Sequence, residues 1–199
     1  MEFLVDINSV NNAPVQFQVS PGEMVYCLSN PNSTSVLNSL VRKEDINVTG
    51  SVLGYDLTNK NKNQLRDLRR EIAFVDDDLF LSKEHTVMEN FELYSAGFTE
   101  KAKMLNSFNR HLRHFVIEKS HTVATLNPRD VFFTKLSLCL AKDPRLVVVP
   151  RVFTFSSQLI FKQQMRYIYD LIMDGGLTYI AAVSNASLTE NYSGRVVTL

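Results

Sequence analysis

Four groups of residues have the types and spacing to bear on chemistry. The first lies at the end of an apolar run. Leu146-Val147-Val148-Val149 reads as a fully buried strand that stops on Pro150-Arg151. The loop after such a strand is where a parallel sheet holds its working residues. Here it offers a proline and a guanidinium, which donates hydrogen bonds and accepts no proton. The second group follows "GEMVYCL": the segment "SNPNSTSVLNSL" reads as a tight loop and a helix opening in Ser/Thr. Such a junction holds phosphate when glycines let backbone N–H groups close around it and a lysine neutralises it. No glycine occurs between Gly22 and Gly50, and no lysine precedes Lys43. Asn30, Asn32, Ser33 and Thr34 are left either to bind a small anion at the helix start or to cap the helix, capping being the simpler duty. The third group is Asp76-Asp77-Asp78 ahead of Leu79-Phe80-Leu81. It reads equally as a solvated acidic turn before a buried apolar triplet and as a seat for a basic helix of a partner. The fourth is His111 and His114, one helical turn apart, with His121 nearby. No cysteine or carboxylate cluster completes a metal set, so a polar helix face is expected there. Arg110, Arg113 and Lys119 on the same segment read as that face's solvated charges rather than as a site for acidic lipid or an acidic loop.

The elements that would position these residues are mixed. Short β-branched runs ("EMVYCL", "EIAFV", "RLVVV", "TYIAAV") alternate with helix-period segments such as "TSVLNSLV" and "QLIFKQQMRYIYDLIM". In the last, Leu159, Ile160, Met165, Ile168, Leu171 and Ile172 recur at helical spacing, and Gly175-Gly176 ends the helix. The alternation predicts a parallel or mostly parallel sheet with helices on its faces. Between about residues 84 and 127 the pattern is helical without strands. One domain over 1–199 is expected, with a core of 1–83 and 128–199 and an inserted helical lobe.

Composition bounds what the molecule does. With 199 residues the chain is long enough for one well-buried core with a smaller lobe. Twenty-one basic residues balance 21 acidic ones, which argues against a general nucleic-acid or membrane-surface binder. Cys27 and Cys139 sit among apolar neighbours and read as reduced core residues rather than a redox or metal pair. The start "MEFLVDINSVNNAP" lacks signal-peptide features, and no run approaches the roughly 20 apolar residues of a span, so a soluble cytoplasmic protein is expected.

The order and spacing of the segments resemble the ATP-binding subunit of ABC transporters over nearly the whole chain. "PGEMVYCL" resembles the strand entering that family's Walker A loop, with Ser33 where the lysine would fall and Thr34 at the magnesium-binding Ser/Thr. A register without a gap puts Ser35 in the lysine place instead. "TGSVLGYDLTN" resembles the family's strand pair, and "LRREIAFVDDDLFLSKEHTVMENFEL" its Q-loop segment, with Asp77 at the glutamine. "LRR" and "TVMEN" are the most specific matches and look closest to the branch serving cell division, lipoprotein release and phospholipid trafficking. "LNPRD", with Asn127, stands where the signature LSGGQ would be. The catalytic Asp-Glu pair falls on Pro150 and Arg151, the switch histidine on Ser184, and "GRVVTL" resembles the strand ending the core. The implied fold is α/β: a P-loop NTPase-like core sheet flanked by helices, with an inserted helical subdomain.

With these departures, the resemblance implies a catalytically inactive subunit without ATP binding or hydrolysis, and therefore not an enzyme. It would hold no cofactor or metal and act as scaffold or regulator of a membrane complex. Its partner would be a permease-like subunit, with a homodimer or a heterodimer with an ABC ATPase possible and no nucleic acid, placing it peripherally on the inner membrane. The implied partner surface is Asp76, Asp77, Asp78, Leu79, Phe80, Leu81, Phe91 and Tyr94. Asp77 and Arg151 are expected to pair at the vacated magnesium position, because an unpaired buried arginine is costly. Three competing readings stand beside this: a divergent ATP-binding subunit, a silent partner of an active ABC ATPase, and a module that traps another anion on Arg151.

Overall fold

The structure is a computed structural model that describes residues 3–40, 47–58, 62–76, 79–150, 158–189 and 194–199. The chain divides into two compact units, Met1–Phe74 with Arg145–Leu199 and Val75–Pro144.

The first unit contains two sheets. β1 (Val5–Val10) and β2 (Ala13–Val19) form a hairpin whose turn residues Asn11 and Asn12 have φ of 50° and 64°. Asparagine tolerates this left-handed region, and turns of that hand match the twist of the strands they join. β4 (Val48–Val52) pairs antiparallel with β1, and β5 (Tyr55–Asp56) with β4, giving the order β2-β1-β4-β5. Gly50 lies opposite Ile7 with φ of 141°, and a Cβ there would stand 2.1 Å from the Asp6 carbonyl oxygen. Only glycine permits that approach.

The second sheet is parallel, as expected. Its strands are β3 (Met24–Leu28), β6 (Ile72–Phe74), β7 (Leu146–Val149), β8 (Thr178–Val183) and β9 (Arg195–Val197), in the order β6-β7-β8-β3-β9. Every neighbouring pair runs parallel. β7 and β8 are buried at every position, the signature of strands covered on both faces. Among the described residues three α-helices belong to this unit: α1 (Pro31–Ser39), α2 (Lys62–Glu71) and α6 (Gln158–Gly175). Met165, Ile168 and Ile172 form the buried stripe of α6, which ends where the Gly176 N–H returns to the Ile172 carbonyl at 3.0 Å. One apolar core joins both sheets through Ile7, Phe17, Val25, Leu37, Val148 and Ile180.

The second unit is helical, with α3 (Val87–Ser95), α4 (Lys101–Phe115) and α5 (Pro128–Leu140). α3 begins in a capping box, Thr86 and Glu89 bonding each other's backbone N–H groups. Phe91 of α3 stacks on Phe108 of α4 at 4.8 Å between ring centroids, and Phe115 of α4 on Phe133 of α5 at 4.1 Å. The lobe read from sequence as about 84–127 lies inside this unit, which also takes in 75–83 and 128–144. α5 joins it because its aromatic side chains pack on α4, a tertiary contact that helical periodicity does not reveal.

Candidate functional site: the carboxyl edge of the parallel sheet

Register brings the sequence-predicted positions of the first unit to one edge. Leu28 pairs with Val183 and Val149 with Ala181, so β3, β7 and β8 all end on the same side. Pro150 and Ser184 follow directly, and the loop to α1 departs from there with the Ser29 N–H bonded to the Val183 carbonyl at 2.8 Å. Pro150 is buried and Ser184 exposed. Arg151 and Asp77, with the ion pair expected of them, and Asp78 lie outside the described residues.

The loop from β3 to α1 is tied to itself. Asn30 is the N-cap of α1, and its Oδ1 accepts the Ser33 N–H at 2.7 Å. The Ser33 hydroxyl accepts the Asn30 N–H at 3.0 Å and shares its own hydrogen between the carbonyls of Leu28 (2.9 Å) and Asn30 (3.0 Å). The Asn30 amide nitrogen donates to the Leu199 carbonyl at 3.0 Å, and the Thr34 N–H to the Asn30 carbonyl at 3.1 Å. Pro31 opens the helix and has no N–H to give. Ser33 is fully buried as a result. The capping duty read from sequence for Asn30 and Ser33 is therefore in place. It engages the same N–H groups that an anion at a helix start would use. The helix dipole still leaves partial positive charge there, with no acidic residue in the first turn to offset it.

The second unit holds the other singled-out residues. Asp76 is 4% exposed; its carboxylate accepts the Leu79 N–H at 3.1 Å, and its carbonyl accepts Nζ of the buried Lys135 at 3.0 Å. Leu79 and Leu81 are half-buried, whereas Phe80 is 77% exposed. The apolar triplet is thus split, with its middle ring in solvent. Phe91 is buried under Phe108 and supports the surface without forming it. Tyr94 is half-buried against Phe98, and burial holds its hydroxyl well above the usual phenol range. Leu93, 58% exposed, is an outward apolar residue of α3 that the sequence reading missed. Its signal was its place off the i, i+4 stripe of Val87, Phe91 and Ser95 that the helix buries. Asn90 beside that stripe binds the backbone of Ser82, His85 and Thr86 through its amide. Asn127 caps α5, its side chain accepting the Asp130 N–H at 2.9 Å.

His111 departs from the polar face expected of it. It is 2% exposed, bonds Ser107 Oγ through Nε2 at 3.1 Å and the Leu140 backbone, and burial pushes its pKa down to about 4. A helix in contact with neighbours on several sides can bury a residue that a flat helical wheel puts outside. Cys27 and Cys139 are both buried thiols outside any disulfide, pushed by burial up to about 12 and about 11. Among the described residues no group of three His, Cys, Asp or Glu could hold a metal ion, and no helix is long and apolar enough to cross a membrane.

This architecture is that of the ATP-binding cassettes of ABC transporters. It superposes on cbiO1 of Clostridium perfringens, part of the ABC transporter complex cbiONQ, with a TM-score of 0.76, 12% identity, and coverage of 93% of this chain and 80% of that one. A dimeric post-hydrolysis structure of the ATP-binding cassette MJ0796 bound to ADP and Pi matches with a TM-score of 0.70, 17% identity, and coverage of 94% and 88%. Along the sequence, the chain is 20% identical over 210 residues to the phosphonates import ATP-binding protein PhnC of Lactobacillus johnsonii, covering 98% of this chain and 82% of that protein. No protein-family model matches.

These similarities correct the expectation of a non-enzyme. The relative is named as an ATP-binding protein, and the similarity to it covers 98% of this chain. The physical reason lies in the premise. The expectation took the departures at the Walker, Q-loop, signature and strand-end positions together to end the reaction, and took the missing lysine and glycines to leave phosphate without a cradle, whereas a helix N-terminus supplies N–H donors and partial positive charge whatever its side chains.

Proposed function

We propose that the chain is a divergent ATP-binding subunit of an ABC transporter. The observation that carries this reading is the similarity to a named ATP-binding protein over 98% of the chain. In this reading nucleotide phosphate meets the N-terminus of α1. The Asn30 side chain must first leave the Ser33 N–H, so binding exchanges an internal cap for a ligand. The Thr34 hydroxyl, which forms no hydrogen bond among the described residues, fits the magnesium that accompanies ATP; when bound, that ion would offset phosphate charge. No lysine stands at the loop to share this work, so affinity is set by the helix start and by how readily the cap opens. The subunit would act as a dimer on a permease-like membrane partner, meeting it through the segment about Asp76–Phe80 and through α3. Phe80 and Leu93 supply exposed apolar area for that contact. Such a subunit would lie peripherally on the membrane. The cell-division, lipoprotein-release and phospholipid-trafficking branch suggested by "LRR" and "TVMEN" differs from the phosphonate import named for the relative, and the proposal extends to neither cargo.

Calorimetry with Mg-ATP, paired with a phosphate-release assay on the protein alone and with its co-purified membrane partner, tests the reading. Saturable binding, with release stimulated by the partner, is the expected result. Absence of both heat and release in both states would overturn it.

A further inference from the structure

The helical unit carries a cleft of about 640 Å³ at the carboxyl end of α4. Leu112 and Ile117, both buried, give it apolar lining. Asn106, Asn109 and Arg113 follow one face of the helix along it, and Glu118 and Lys119 complete the lining. α4 is capped by Val116, which takes φ of 59° and ψ of 46°, a left-handed conformation normally given to glycine. A β-branched residue is disfavoured in that region, yet the backbone is fixed by the Val116 N–H on the Arg113 carbonyl (3.2 Å) and the Ile117 N–H on the Leu112 carbonyl (2.9 Å). The valine so held is 83% exposed and lines the cleft. Exposing an apolar side chain from a strained backbone contributes nothing to folding, which points to a use in contact.

The charges agree. Arg113 and Lys119 line the cleft and Arg110 lies exposed nearby, and among the described residues none of the three forms an ion pair with a carboxylate of the chain. The Arg113 Nε donates to the Asn109 carbonyl at 3.3 Å, which holds the guanidinium near the cleft while its remaining N–H groups stay available. We propose that this cleft is a docking site for an extended acidic peptide segment of a partner protein. One apolar side chain of the peptide would rest on Leu112, Val116 and Ile117, flanking carboxylates would meet Arg113 and Lys119, and the Asn106 and Asn109 amides would pair with its backbone. A lipid surface fits less well, because Glu118 and two amides interrupt the basic patch and the site is concave. The site lies wholly within the helical unit and does not depend on nucleotide binding.

Fluorescence anisotropy with a fluorescein-labelled hexapeptide of alternating glutamate and leucine, added to the full chain, tests this. Saturable binding that weakens with rising salt is expected, falling at least about tenfold in the R113E/K119E double variant with an unchanged melting curve. Val116→Gly, which removes the apolar contact and relaxes the backbone, is expected to weaken binding while keeping the fold. Three results would each overturn the proposal: no saturable binding, equal binding of the lysine-leucine counterpart, or binding to phosphatidylglycerol vesicles without binding to the acidic peptide.

Discussion

The Ser33 N–H donates to Asn30 Oδ1 at 2.7 Å, and the Ser33 hydroxyl accepts the Asn30 N–H at 3.0 Å. This reciprocal pair closes the start of α1, where the proposed reading puts the nucleotide phosphate. It makes the helix N-terminus self-sufficient, so in the proposed reading a bound phosphate would compete with the cap.

Asn30→Ala tests that competition. Loss of the cap is expected to lower stability by about 1 kcal/mol while strengthening Mg-ATP binding, because the freed N–H no longer has to be won from a side chain. Thermal melting and calorimetry on one preparation read both effects. A variant less stable without any gain in nucleotide affinity would show that the cap does not oppose the ligand.

Phe80→Asp addresses the proposed membrane partner. The ring is 77% exposed, so the melting temperature is expected to stay within the small range of surface substitutions. Co-purification with the permease-like subunit should fall sharply, since a carboxylate replaces an apolar contact. Undiminished co-purification would move the interface elsewhere.

His111 gives the helical unit a pH dependence. Burial is the largest cause of its depression from 6.5 to about 4, aided by the charge of Arg110 and His114 and opposed by the Leu140 backbone bond and Asp143. The unfolded chain therefore binds a proton that the folded chain refuses between those values. Stability is full above about pH 6.5 and falls as pH drops toward 4, by on the order of 3 kcal/mol. Urea unfolding across that window should show the slope, and His111→Gln should flatten it.

Gly50→Ala is expected to destabilise the antiparallel sheet by about 3 kcal/mol or more, through a Cβ clash and a disfavoured φ. Hydrogen exchange should show the loss concentrated in β1 and β4. An alanine variant with native protection there would contradict the observed approach to Asp6.

The parallel sheet was legible because strands buried on both faces must be apolar throughout, and Leu146 to Val149 and Thr178 to Val183 carry that requirement openly. The antiparallel hairpin was not. β1 has only a partial alternation of burial, broken by a register shift between Ile7 and Ser9, and its one clear sign, Asn11-Asn12, depends on a turn conformation rather than a hydrophobic period. Of the singled-out residues, Asn30 and Ser33 behave as their capping types require. Phe80, read as part of a buried triplet or a partner seat, is exposed, while Asp76 is buried and its backbone carbonyl is held by Lys135, 59 residues away.

By itself, the sequence determined the alternation of strands and helices, the buried strands, the capped start of α1 and the resemblance to a cassette. These are local properties, written in periodicity and in side chains that bond their own neighbours. Only the tertiary structure decided that His111 is buried and neutral, that α5 packs with the helical unit and that Val116 stands exposed beside a basic cleft. Each of those depends on contacts between elements distant in the chain, and burial and charge pairing are set by such contacts, not by residue type.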